Sequence, residues 1–377
     1  MIGGEADFRL RDRVESCRIG QSAPMSGNGS KRKRNFAGVT AHQVARRLGL
    51  SQSTVSRAFS RSASIHPRTR ELIFKTANSL GYQPNIIARS LITRRTNIIA
   101  VVMANLTDPF YPMVLERLAL RIQSSGRQLL FFIIPPGKHV DDVLPSLLQY
   151  KVDSILIASA TVSSRMAAVC LSQRIPVVLF NRYVPGLKVA AVSCDNVAGG
   201  RAVADYLWST GHQRPAFVSG EPDVTTNRDR ARGFSRRLQE LGMALFADEI
   251  GNGFSYEAGY EAARRLITRR RRPDCIFFAS DVMAIGGIEA VRSAGLRVPE
   301  DVSVVGFDDI PMAASPSYDL TTVRQPIAEM VESAAEILGL DETDSYRDAS
   351  KTRIFKGTLV VRQTVMNRRR VSRSRAK

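Results

Sequence analysis

Two hydrophobic rhythms divide the chain. Over residues 39–83 the apolar positions recur at helical spacing in three short segments. Val44, Ala45 and Leu48 form the first stripe, Val55 and Phe59 the second, and Leu72, Ile73, Thr76 and Leu80 the third. The punctuation agrees. Thr40 and Gln43 make a capping box, Gly49 suits a left-handed stop, Ser51 suits an N-cap, Pro67 suits a first helical position, and Gly81 closes the third segment. Two helices joined by a Gly-Leu-Ser turn predict a helix-turn-helix.

From Asn97 the rhythm changes to continuous apolar runs separated by amphipathic stretches. Strands are expected at Ile98–Met103, Leu129–Ile134, Ser154–Ala158, Pro176–Phe180, Ala190–Cys194, Pro215–Ser219, Cys275–Ala279 and Val302–Gly306. Helices are expected at Tyr111–Ser124, Gly199–Thr210, Arg230–Leu241, Tyr256–Arg269 and Val282–Ala294. Apolar strands alternating with helices mean parallel sheets covered on both faces. About 270 residues of this pattern exceed one small sheet, so two lobes are expected. Ligands in such sheets bind at the carboxyl ends of strands.

Composition narrows the function classes. With 44% hydrophobic residues among 377, the chain is not wholly disordered. The longest apolar runs, Ile98–Met103 and Leu129–Pro136, are far short of a membrane helix. The first residues contain no apolar stretch of the signal-peptide kind. Cys17, Cys170, Cys194 and Cys275 lie far apart, which predicts a reducing, cytoplasmic setting with no disulfide framework and no metal site. The net charge of +19 is uneven: residues 1–98 carry +13, residues 99–350 carry −4 and residues 351–377 carry +10. Basic ends around a mildly acidic middle point to a polyanion partner. The Lys31-Arg32-Lys33-Arg34 run reads as a basic arm following the Gly27–Ser30 stretch.

Several motifs share one resemblance. Val39-Thr40, Val44-Ala45, Leu48-Gly49-Leu50-Ser51, Thr54-Val55-Ser56-Arg57, Thr69-Arg70, Leu80–Asn85 and Ala88–Leu91 resemble the DNA-binding head of the LacI/GalR family of bacterial transcription regulators, and the resemblance continues over nearly all of residues 39–365. It implies an α/β chain with an N-terminal helix-turn-helix DNA-binding domain and a two-lobed, periplasmic-binding-protein-like effector domain of parallel sheets. The expected divisions are a basic extension (1–37), the helix-turn-helix (38–83), a hinge helix and linker (84–96), the effector and dimerisation domain (97–365) and a basic tail (366–377).

A recognition helix enters the major groove by its N-terminal end. Here that end is Ser51-Gln52-Ser53-Thr54. Gln52 suits adenine and Arg57 suits guanine by bidentate bonding. The resemblance makes Gln52, Ser53 and Arg57 base readers and Thr40, Ser51 and Ser56 phosphate contacts. It also makes Asn85–Leu91 a hinge helix, with Leu91 as a minor-groove wedge.

In the effector domain, Asp108-Pro109-Phe110-Tyr111, Phe180-Asn181-Arg182, Arg230–Phe234, Phe254, Ser280-Asp281, Val304–Asp309 and Leu320–Gln325 match family segments around the cleft. The resemblance therefore makes Asp108, Phe110, Tyr111, Asn181, Arg230, Phe254, Ser280, Asp281, Asp308 and Gln325 effector contacts. Asn181 and Ser280 stand where the family often has Asp and Asn. Leu359–Thr364 matches the closing strand, and the tail lacks a leucine heptad, so a homodimer is expected.

The function that follows is a DNA-binding regulator, expected to be a repressor, controlled by a sugar or related small metabolite, with operator DNA as partner and no cofactor. A periplasmic-type sugar-binding protein would share the two lobes, but the head argues against it. An enzyme finds no support: no GxGxxG, GxxxxGK[ST], GxSxG or HExxH motif occurs.

Overall fold

The computed structural model describes residues 39–59, 65–83, 95–104, 106–135, 137–159, 162–341 and 352–369. The expected N-terminal extension, nearly all of the linker with Asn85 and Leu91, and the end of the tail lie outside these residues. The chain divides into two compact units at Asn85–Ile86.

The first unit is a three-helix cluster: α1 (Ala41–Leu48), α2 (Gln52–Ala58) and α3 (Pro67–Leu80). The Thr40 backbone N–H donates to Gln43 Oε1 at 2.7 Å and Gln43 N–H returns a bond to Thr40 Oγ1 at 3.4 Å, closing the predicted box. Gly49 takes φ 67° and gives its N–H to the end of α1, the stop its missing Cβ permits. Ser51 Oγ accepts Thr54 N–H at 3.1 Å and starts α2. The core is Val44, Ala45, Val55, Ala58, Ile73 and Ala77. The stripe of α3 departs from expectation: Leu72 is 51% exposed and Ala77 is buried. Ile73 and Ala77, four residues apart, face the core together, and this phase turns Leu72 outward.

The second unit has two lobes. In the first lobe β1 (Ile98–Met103), β2 (Gln128–Ile133), β3 (Ser154–Ala158), β4 (Val177–Phe180), β5 (Ala190–Cys194) and β11 (Thr352–Phe355) form one parallel sheet in the order β11-β5-β4-β3-β1-β2. Helices α4 (Phe110–Ser124), α5 (Leu144–Gln149), α6 (Ser164–Ser172) and α11 (Ile327–Ile337) belong to this lobe. In the second lobe β6 (Pro215–Ser219), β7 (Ala247–Ile250), β8 (Cys275–Phe278) and β9 (Ser303–Val305) form a parallel sheet in the order β7-β6-β8-β9. It carries α7 (Asn196–Ser209), α8 (Thr225–Glu240), α9 (Tyr256–Ile267) and α10 (Asp281–Ser293). A short antiparallel pair, β10 (Thr322–Arg324) with β12 (Thr358–Val360), accompanies the crossovers. The chain passes between lobes near Asp195, Gln325 and Lys356.

Four expected strands have the observed limits, and the others differ by a residue or so at an end. The hydrophobic pattern misses β7, β10 and β11; at β7, Asp248 and Glu249 interrupt it at the sheet edge. The expected closing strand over Leu359–Thr364 is shorter, because only Thr358–Val360 pairs with β10. Beyond it Thr364 Oγ1 donates to the Val304 carbonyl at 2.7 Å and accepts Thr321 N–H at 2.9 Å. Packing runs on to Arg368, whose N–H donates to the Thr210 carbonyl at 2.8 Å.

Helix α8 lies on α7 with almost no separation, and glycines make this possible. A Cβ on Gly200 would stand 2.3 Å from the Arg230 carbonyl, and one on Gly233 would stand 2.2 Å from the Val197 carbonyl. Both obstacles are backbone, so they cannot swing aside. Gly200→Ala is expected to cost about 1–3 kcal/mol through overpacking, read as a lowered urea midpoint at unchanged m-value. An unchanged midpoint would mean that the two helices part freely.

Candidate functional site: the interlobe cleft and the head surface

A cavity of about 710 Å³ opens between the lobes at the carboxyl ends of their strands. The first lobe contributes Thr107, Asp108, Phe110, Tyr111, Ser159, Asn181 and Arg182, and the second contributes Glu221, Thr226, Arg230, Phe254 and Asp308. Ser159, Asn181 and Asp308 follow β3, β4 and β9 with φ of 57°, 60° and 124°. Non-glycine residues held in this region of backbone space cluster where function constrains the chain.

Arg230 sits in the second turn of α8 and is 2% exposed. Its Nε donates to Asn196 Oδ1 at 2.8 Å, one terminal nitrogen donates to the Ala279 carbonyl, and the other donates to Asp308 Oδ1 at 3.2 Å. The guanidinium lies 3.7 Å above the Phe307 ring. Burying a charge is unfavourable unless it is paired and hydrogen-bonded, and both conditions hold here. Gln325 Nε2 donates to the same Asp308 oxygen at 2.7 Å. Burial raises the Asp308 pKa well above the carboxylate range, with Arg230 opposing the rise.

Across the cleft Asp108 is 4% exposed, and its Oδ1 accepts Phe110 N–H at 3.0 Å. Burial lifts its pKa to about 6, against the pull of that N–H and of Arg230. Asn181 is 3% exposed and its Oδ1 has no partner within the protein. The Nε of Arg182 is likewise buried and unpartnered. A buried polar group without a partner is unfavourable, and this wall holds one such acceptor and one such donor.

On the head, Ser51, Gln52, Ser53, Ser56 and Arg57 are exposed and Thr54 is half-buried at the start of α2. Ser51 Oγ lies 2.8 Å from both Ser53 Oγ and Thr54 Oγ1, so three hydroxyls cluster at the helix N-terminus. Arg57 rests its Nε 3.4 Å from the Ser53 carbonyl, along the same face. Thr40 is exposed at the start of α1.

Residues 40–85 match the family described as bacterial regulatory proteins, lacI family, and residues 204–365 match the periplasmic binding protein-like domain. The HTH-type transcriptional regulator GalS of Salmonella typhimurium is 32% identical over 332 residues, 87% of this chain and 96% of that protein. The HTH-type transcriptional regulator DegA of Bacillus subtilis is 33% identical over 333 residues, 86% of this chain and 98% of that protein. The chain belongs to the lacI family of bacterial regulatory proteins. It is a transcription regulator and not an enzyme. Among solved structures, the lac repressor dimer bound to operator and the anti-inducer ONPF superposes with a TM-score of 0.77 at 22% identity, covering 87% of this chain and 99% of that one. The CelR–cellobiose complex superposes with a TM-score of 0.65 at 29% identity, covering 86% and 99%.

In this lacI-family chain the cavity gathers Asp108, Phe110, Tyr111, Asn181, Arg230, Phe254 and Asp308 of the expected effector set. Ser280, Asp281 and Gln325 do not line it. Ser280 is buried at the start of α10, with its Oγ unpartnered. Asp281 accepts Ile310 N–H at 2.9 Å and the Thr322 hydroxyl, so it braces the turn after β9 from behind. Gln325 acts on Asp308. Phe110 is 1% exposed, its ring edge-on to Tyr111 at 5.3 Å, so only its rim reaches the cavity. Among the polar lining residues, Thr107, Lys138, Ser159, Arg182, Glu221 and Thr226 fall outside the expected set. The post-strand rule could have found Ser159 and Glu221.

The raised Asp108 pKa has a definite sign. A carboxyl whose folded pKa lies above its unfolded value contributes stability below about pH 4 that is lost as pH rises through about 6. Asp108→Asn stays neutral throughout. Between pH 4 and pH 8 its stability relative to wild type is expected to improve by about 2 kcal/mol, read by urea unfolding at each pH. A pH-independent difference would mean that Asp108 titrates normally.

Proposed function

We propose that this regulator is a cytoplasmic homodimer that binds operator DNA through its head, and that a small polar effector, a sugar or related metabolite, changes that binding by occupying the interlobe cleft. The observation that carries the reading is the unpartnered, buried Asn181 Oδ1 in a polar cavity whose opposite wall holds the Arg230–Asp308 pair. Hydroxyl groups both donate and accept, so a polyol answers Asn181 and Asp108 as donor and the spare guanidinium hydrogens as acceptor. Phe254 supplies an apolar face for a ring. The cellobiose complex of CelR, a related regulator, supports a sugar-sized occupant.

On the head, Gln52, Ser53 and Arg57 reach base edges, with Thr54 beside them. Thr40, Ser51 and Ser56 hold phosphates with the help of helix N-termini. Residues 84–96 serve as a linker whose Asn85 and Leu91 contact DNA, and 97–365 as the effector and dimerisation domain. The uneven charge supports a basic head on a polyanion. The separated cysteines support a reducing compartment.

The experiment has two arms. In a binding selection on random duplexes, Arg57→Ala is expected to cost about 1–3 kcal/mol and to relax preference at one base pair per half-site. Uniform weakening over all sequences would make Arg57 a phosphate contact instead.

In a thermal-shift screen against sugars and nucleosides, a ligand is expected to raise the wild-type midpoint. Phe254→Ala is expected to weaken that ligand about tenfold, the worth of an aromatic contact with its buried area, and to leave ligand-free DNA binding unchanged. No hit in either class, or wild-type affinity in Phe254→Ala, would overturn this placement of the effector.

A further inference from the structure

The rim of the cleft carries a bond that the ligand-binding residues do not use. Tyr183 Oη, in the first lobe, donates to Asp229 Oδ2 in the second at 2.8 Å. Each partner adjoins cavity-lining residues: Tyr183 follows Asn181 and Arg182, and Asp229 precedes Arg230 on α8, less than a turn from Thr226. The bond joins the two lobes directly, side chain to side chain.

Its construction suits a latch. Asp229 is 8% exposed, and its other oxygen, Oδ1, accepts Arg232 at 2.8 Å, so the carboxylate is aimed before Tyr183 meets it. Burial and the nearby carboxylate both push the Tyr183 pKa up, which keeps the phenol a donor. Asp229 cannot follow Tyr183 if the lobes part, because α8 is pinned to α7 through Gly200 and Gly233. Separation of the walls therefore breaks this bond.

We propose that Tyr183 and Asp229 form a closure latch that sets the balance between closed and open lobes before any effector binds. They are positioning residues and touch no ligand themselves. The inference rests on the reading of the cleft as the effector site for its biological meaning, but not for its test. An effector acts only through its differential affinity for the two arrangements, and its apparent affinity rises with the fraction of protein that is closed. A latch that raises this fraction makes the regulator more sensitive to the same molecule.

The test uses the full chain without ligand. Spin labels on Arg165→Cys and Glu257→Cys, exposed positions in the first and second lobe, report the interlobe distance by double electron–electron resonance. The described native cysteines, Cys170, Cys194 and Cys275, are buried. Tyr183→Phe is expected to move the ligand-free distribution about tenfold toward longer distances, the worth of a hydrogen bond to a charged group. Asp229→Asn, which keeps an acceptor, is expected to shift it less, and to add nothing once Tyr183→Phe is present.

A distribution identical in wild type and Tyr183→Phe overturns the latch. So do independent, additive shifts from the two substitutions. A purely structural role would lower thermal stability and leave the distances alone. If the effector reading fails in the thermal-shift screen, the distance measurement still decides the latch.

Discussion

One buried cation organises the effector unit. Arg230 is surrounded by groups that exist to satisfy it: the Asn196 amide at the start of α7, the Ala279 carbonyl at the end of β8, the Asp308 carboxylate after β9 and the Phe307 ring beneath it. Three separate segments therefore converge on one guanidinium. Removing it would leave Asp308 buried without its counter-charge, a penalty larger than the pair's net worth. Three of the five guanidinium donors have these protein partners. A group that must be held for the fold to form thus also lines the cavity.

The backbone contacts beneath Arg230 follow from the same demand. For its side chain to reach Ala279 and Asp308, α8 must lie directly on α7, which explains why Gly200 and Gly233 face carbonyls and not side chains. Gly306 serves Asp281 in the same way: a Cβ there would stand 2.2 Å from the Asp281 carboxylate. Asp281 in turn holds the Ile310 N–H and the Thr322 hydroxyl, and so sets the turn that aims Asp308. Burial lifts the Asp281 pKa to about 7. The two acids therefore divide the work, Asp281 behind the turn and Asp308 in front.

Much of this was legible before any coordinates. The caps at Thr40, Gly49, Ser51 and Gly81 rest on local chemistry, and each lies where propensity places it. Buried parallel strands announce themselves as unbroken apolar runs, so Ser154–Ala158 and Pro215–Ser219 could be bounded to the residue. What stayed hidden depends on long-range partners. Edge strand β7 carries two acids because one side of it faces solvent. Ser280 and Asp281 sit just past β8, where ligand contacts are expected, yet helix α10 begins there and turns Asp281 away from the cavity toward Thr322. The apolar stripe of α3 predicts Leu72 inward, and only packing against Val44 and Val55 chooses Ile73 and Ala77 as its centre.

The two faces of α8 suggest why one helix can serve both binding and switching. Thr226 and Arg230 look into the cavity, while Asp229 reaches Tyr183 across its rim. Because α8 is locked to α7, it moves only with its lobe, and whatever draws Arg230 toward the opposite wall also brings Asp229 to Tyr183. In the proposed reading, ligand contact and lobe closure favour the same arrangement without a relay of side chains between them. The polarity of the two walls strengthens the coupling. Asp108 and Asn181 offer acceptors from one lobe and Arg230 offers donors from the other, so a molecule bearing both kinds of group is satisfied only when the walls stand at the spacing the latch holds. A ligand satisfied by one wall alone would bind without shifting the lobes, since equal affinity for both arrangements moves no equilibrium.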